Sequence, residues 1–126
     1  MKLIIKVFTI TALVLSLVAC GTKTPTAEIS NLRVTGIFVR FDLTMRDRDR
    51  IVEKIEVQLV RENGEVIYTI DEANDHLRSH GFFSESFTVS HLRAGTYYVI
   101  VVATYTLGGE TLVDEELDRK SFELPG

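Results

Sequence analysis

"SFTVSHLRAGTYYVIVVATYT" occupies Ser86–Thr106. Phe87 and Val89 alternate with polar neighbours, the period of a half-buried β-strand. The segment from His91 to Gly95 is polar and ends on glycine, a turn signal. Thr96–Thr106 then carries no charge and is dense in β-branched and aromatic residues. That suits a central strand covered on both faces. This strand–turn–strand unit is the reference for the rest of the chain. In it Tyr98, Ile100 and Val102 are expected to point inward. Tyr97, Val99, Val101 and Tyr105 are then expected to point outward, as an aromatic and aliphatic stripe able to meet a partner.

Upstream the same period of two recurs. Ile55, Val57 and Leu59 share one face, with Glu56 and Gln58 on the other. Asn63-Gly64 follows, a strong short-range hairpin signal, and Val66–Ile70 is the return strand. Ile37, Val39, Phe41, Leu43 and Met45 line one face of an earlier strand, and Leu32 and Val34 line one before that. Downstream, "LGGE" (Leu107–Glu110) is a turn. Thr111–Leu124 is polar in its middle, which predicts an edge strand with a bulge or break. Helical spacing occurs only in "DEANDHLRSHG", where Asp71 would cap a turn or two before Gly81. About seven strands result. The class is all-β, a single seven-stranded two-sheet sandwich.

The chain has 126 residues, 45% of them hydrophobic, which suits one domain. Its first twenty residues differ from the rest. Lys2 and Lys6 precede Val7–Val18, which holds no charge, and Cys20 is the one cysteine. A basic start and a short apolar run form a secretory signal, too short for a membrane-spanning helix of about 20 residues. Leu17 is too large for ordinary signal-peptidase cleavage ahead of Cys20. "LVAC" (Leu17–Cys20) instead resembles the bacterial lipobox.

That resemblance implies a diacylglyceryl thioether on Cys20, cleavage before it, and acylation of the new amino terminus. The expected layout is a signal peptide over 1–19, a lipid-anchored tether over 20–27 and a sandwich over 28–126. The lipid is then covalent, and no other cofactor is expected. A diacyl anchor holds a protein stably, since each buried methylene contributes about 0.8 kcal/mol. Loss of Lys2 and Lys6 from the 14 basic residues leaves 12 against 18 acidic ones, a net charge of −6. That argues against a nucleic-acid partner and against a polybasic membrane surface. Seven residues of tether reach at most about 25 Å, which would keep the domain near the lipid.

Ser86–Val102 also resembles the fibronectin type III family around its sixth strand. Leu92 matches the turn leucine, Gly95-Thr96 the turn, and Tyr98 the corner tyrosine six positions after Leu92. The resemblance implies that Tyr98 packs under the crossing loop and bonds backbone there. Two departures stand out: Phe41 lies where the family carries a buried tryptophan, and Ala94 replaces a proline. The implied fold is an immunoglobulin-like sandwich.

Chemistry is sparse. His76 and His80 have the i, i+4 spacing of a helical metal pair, with Asp71, Asp75 or His91 as a third ligand. The glutamate of HExxH is missing. Asp47 and Asp49 in "RDRDR" would offer oxygens to calcium, but three flanking arginines favour a solvated, salt-bridged loop. No nucleophile triad is visible. The expectation is a non-enzymatic protein of the cell envelope or surface. It is anchored outside the cytoplasmic membrane or in an outer membrane, and binds a protein or polysaccharide. The alternatives are a metal-dependent accessory role at the His76/His80 loop and a structural spacer.

Overall fold

The structure, a computed structural model, describes residues 23–70 and 80–125. The signal segment, Cys20, His76, Asp71, Asp75 and most of the expected helical turn lie outside the described residues. Seven strands account for most of the rest: β1 Thr26–Thr35, β2 Phe38–Arg46, β3 Val52–Arg61, β4 Val66–Ile70, β5 Gly81–Thr88, β6 Gly95–Leu107 and β7 Glu110–Leu124. They form two antiparallel sheets, β1-β2-β5 and β4-β3-β6-β7, stacked as a sandwich.

The alternation seen in the sequence becomes the core. Val39, Phe41, Leu43 and Met45 from β2 are fully buried and face Ile55, Val57 and Leu59 from β3. Each such side chain contributes roughly 1.5–3 kcal/mol by leaving water. Ile37 departs from the expected row. It lies in the β1–β2 turn and is 51% exposed.

Tight turns set the registers. Gly108 and Gly109 both have positive φ, 60° and 82°. That double positive conformation matches the strand twist, and it pairs Leu107 with Glu110. At the β3–β4 hairpin the Asn63 side chain accepts from the Glu65 N–H at 2.9 Å, and Gly64 takes φ 96°.

β7 is an edge strand with register shifts after Val101 and Ala103, and Asp114 sits at φ 51°. Asp118 within it accepts the Ile29 N–H at 2.7 Å. That bond ties β1 of one sheet to β7 of the other and closes this side of the sandwich. An acid turned toward the other sheet also discourages a further strand from pairing there.

The sandwich, expected from residue 28 after a tether over 20–27, begins earlier. β1 already includes Thr26 and Ala27, and Pro25 is buried. The Lys23 N–H donates to Asp49 at 2.7 Å, so the chain is held from Lys23 onward.

Candidate functional site

The expected orientation of β6 is reversed. Tyr97, Val99, Val101, Ala103 and Tyr105 are between 0% and 4% exposed and belong to the core. Tyr97, Val99, Val101 and Tyr105 therefore form no outward stripe. Tyr98 lies on the outer face, where the Arg119 guanidinium stands 5.2 Å from its ring centre.

The tyrosine whose hydroxyl bonds backbone in the crossing loop is Tyr97 and not Tyr98. Its hydroxyl donates to the Arg93 carbonyl at 2.7 Å, and its ring stacks on Phe122 at 5.8 Å. Leu92 is half-buried against the core, as its turn position implies. Strand parity explains the reversal. The apolar residues of β6 do not announce which face is which. The signal was in the threonines: Thr96, Thr104 and Thr106 all share parity with Tyr98 and mark the outer side.

That outer side is itself covered. Lys54 pairs with Glu56 at 3.3 Å, and the Gln58 amide donates to Glu56 at 3.3 Å. On β7 Arg119 donates to Glu116 through two nitrogens, at 3.0 and 2.8 Å. The Glu116 hydrogen bond raises the Arg119 pKa above its ordinary value, burial opposes this, and the charges of Glu116 and Tyr98 add to it. Under this layer Ile100 is 6% exposed although it faces outward.

The two described histidines, His80 and His91, do not converge. The His80 ring accepts the Asp47 N–H through Nδ1 at 3.2 Å. His91 lies beyond the opposite end of β5, which at about 3.3 Å per residue is roughly 25 Å away. It cannot complete a site with His80. Among the described residues no group of three His, Cys, Asp or Glu is placed to hold a metal ion.

"RDRDR" is also more ordered than expected. Asp47 is 2% exposed, and its two oxygens accept the N–H groups of Ile51 (2.9 Å) and Val52 (3.0 Å). Its carboxylate is committed to the β2–β3 loop instead of to solvent or calcium.

Among the described residues, one surface open to a ligand is the side of the sandwich between edge strands β4 and β5. Phe41 stacks on Phe87 at 5.9 Å, and Phe87 on Tyr68 at 6.5 Å with planes 13° apart. This row leads from the core to the surface, where Tyr68 is 40% exposed. His91 meets Tyr68 edge-on at 5.7 Å, with Nε2 2.9 Å from its hydroxyl. A cleft of about 290 Å³ runs beside the row, lined by Tyr68, Thr69, Ile70, Ser86, Phe87 and Thr88. An aromatic face pinned by stacking loses little freedom when a ligand lands on it. Hydroxyls and backbone on both flanks add hydrogen bonds. The sequence reading missed Tyr68 because a single tyrosine in a five-residue strand carries no motif.

No protein-family model, curated protein or solved structure matches the chain. The fold and the geometry of its surfaces are therefore what bear on function.

Proposed function

We propose that this protein is a lipid-anchored envelope or surface module with an immunoglobulin-like sandwich of fibronectin type III character, and that it binds without catalysis. The strand order β1-β2-β5 against β4-β3-β6-β7 supports the family reading, as does the Tyr97 hydroxyl bonded four residues back. "LVAC" at Leu17–Cys20 supports the anchor. The observation that carries the binding reading is the Phe41–Phe87–Tyr68 row, which presents a half-exposed tyrosine beside an open cleft. Its ligand is a protein or polysaccharide segment lying along the β4–β5 side, with Tyr68 as the anchor.

Two measurements test this together. Labelled fatty acid is expected to enter the wild type and not Cys20→Ala, with the acyl mass on Cys20 by mass spectrometry. Partner capture by the lipidated protein is expected to weaken in Tyr68→Ala and persist in Tyr98→Ala. An unlipidated mature protein overturns the anchor. Capture indifferent to Tyr68 overturns the cleft.

A further inference from the structure

We infer that the outer face of the three-stranded sheet holds an oxyanion site built on Arg33 and Arg40, which takes a phosphate group. The site does not depend on the lipid anchor or on the Tyr68 cleft; only the choice between phosphate sources rests on the proposed anchor.

Arg33 and Arg40 are direct cross-strand partners in the β1–β2 ladder. Like charges in that position repel, and a sheet normally avoids them. Here the two-residue Gly36-Ile37 turn sets the arrangement, with Thr35 opposite Phe38, Val34 opposite Val39 and Arg33 opposite Arg40. The register shifts between Ser30 and Arg33, and Asn31 takes a left-handed φ of 56°. Regular pairing continued from Ser30 and Asp42 would set Leu32 opposite Arg40 and turn Arg33 toward the core side. One extra residue lets Ile29 point to the core while Arg33 keeps the outer face beside Arg40.

Both guanidinium groups are held in place. Arg33 Nη1 donates to the Asn31 carbonyl of the bulge at 2.6 Å. The Arg40 guanidinium stands 5.0 Å from the Phe38 ring centre, a cation–π contact. Neither is in a salt bridge with a carboxylate among the described residues. Asp42, the neighbouring acid on this face, has its oxygens engaged by neutral donors, Asn31 Nδ2 at 3.2 Å and Ser84 Oγ at 3.0 Å.

Between the arginines and β5 lies a groove of about 200 Å³, lined by Arg33, Arg40, Phe41, Ser84, Glu85 and Ser86. Glu85 is the acid among them, and it shares the core-facing parity of its partner Phe41. Ser86 pairs with Arg40 in the β2–β5 ladder, which places a third donor beside the two forks.

The chemistry selects the ligand class. Guanidinium forks match the oxygens of phosphate in paired hydrogen bonds, and side chains already held lose less freedom on binding. The chain carries a net charge of −4, so this is a local positive spot and not part of a basic surface. That favours one discrete phosphate group over a polyanion, whose binding scales with many neutralised charges. Two sources share this chemistry: a soluble phosphate ester and a phospholipid headgroup. Arg33 lies seven positions along β1 from Thr26, roughly 23 Å from the end where the amino-terminal segment enters. A chain anchored through that segment carries the site away from its own bilayer, which favours the soluble ester.

The test uses the full chain in detergent, with inorganic phosphate and phenyl phosphate as probes. Saturable binding by calorimetry is expected, weakened at least tenfold by Arg33→Gln and by Arg40→Gln. Arg40→Lys is expected to weaken it too, since one ammonium cannot replace a fork. Arg46→Gln, at the end of the same strand, is the control and should bind as wild type. Arg33→Gln relieves the repulsion with Arg40, so its melting temperature should not fall, and loss of binding is then not loss of fold. A parallel arm adds vesicles of phosphatidylglycerol or of phosphatidylcholine. Vesicle binding that needs both arginines and is competed by phosphate supports the site and assigns its source to a lipid. Absence of saturable phosphate binding, or binding equal in wild type and both glutamine variants, overturns the inference.

Discussion

Tyr97 and Tyr98 are adjacent, chemically identical and on opposite faces of β6, so removal of one oxygen from each tests the orientation of the central strand. In Tyr97→Phe the hydrogen bond to the Arg93 carbonyl, 2.7 Å long, is lost while the ring and its stacking on Phe122 remain. A neutral hydrogen bond of this kind contributes about 0.5–1.5 kcal/mol, and a carbonyl left dry costs up to about 3 kcal/mol. Arg93 lies on an exposed turn, so water can reach its carbonyl and the cost should stay near 1 kcal/mol. In a domain of about 100 residues that lowers the melting temperature by roughly 4–8 °C. Tyr98→Phe keeps the ring and its contact with Arg119, and should stay within about 0.5 kcal/mol of wild type. Truncation widens the gap: Tyr97→Ala empties a site only 4% exposed and should cost about 3–5 kcal/mol. Urea melts followed by circular dichroism measure all three, with unchanged m-values required for comparison. If Tyr98→Phe costs as much as Tyr97→Phe or more, the assigned parity of β6 is wrong, and the assignment of the corner tyrosine falls with it.

Asp47→Ala should destabilise by about 2–3 kcal/mol, because the part-buried N–H of Ile51 and the buried N–H of Val52 lose their acceptor; Asp47→Asn keeps one acceptor oxygen and should lose less. Urea midpoints that match wild type in both variants would show that the carboxylate does not organise the β2–β3 loop. Burial first, and the charge of Glu115 second, hold the Tyr105 phenol above its ordinary pKa. The unfolded chain then releases this proton before the folded one, so stability present below about pH 10 is lost as pH climbs toward the folded value. Urea midpoints between about pH 9 and 11 should therefore fall less steeply in Tyr105→Phe than in wild type. Equal slopes would place the phenol in water.

The candidate surfaces were legible to different degrees. Tyr68, Phe87 and His91 belong to three separate segments, and no spacing rule links them. They meet because β4 and β5 are the edges of different sheets on the same side of the sandwich. Arg33 and Arg40 are seven residues apart, and alternation in each strand already turns both away from the apolar rows of Leu32 and Val34 and of Val39 and Phe41. The Gly36-Ile37 turn makes them direct partners, and what the sequence did not advertise is the bulge at Asn31 that lets the upstream half of β1 keep Ile29 in the core. His80 and His91 show the reverse case, since two histidines near one another in the chain are separated by the whole of β5.

By itself the sequence determined the strands, the turns and the inner faces of β2 and β3. There polar and apolar residues alternate, and a one-residue slip would expose a whole row of hydrophobic side chains. It also determined the edge character of β7, because charges in mid-strand are tolerated only where one side meets water. Tertiary structure decided the orientation of β6, which the sequence marked only through the shared parity of Thr96, Thr104 and Thr106. Both its faces are apolar, and its inner face is chosen by what the partners bring: Phe122 and the Arg93 carbonyl to Tyr97, Arg119 to Tyr98. Tertiary structure also made Asp47 a buried brace, because the value of a carboxylate depends on the N–H groups that the loop folds around it.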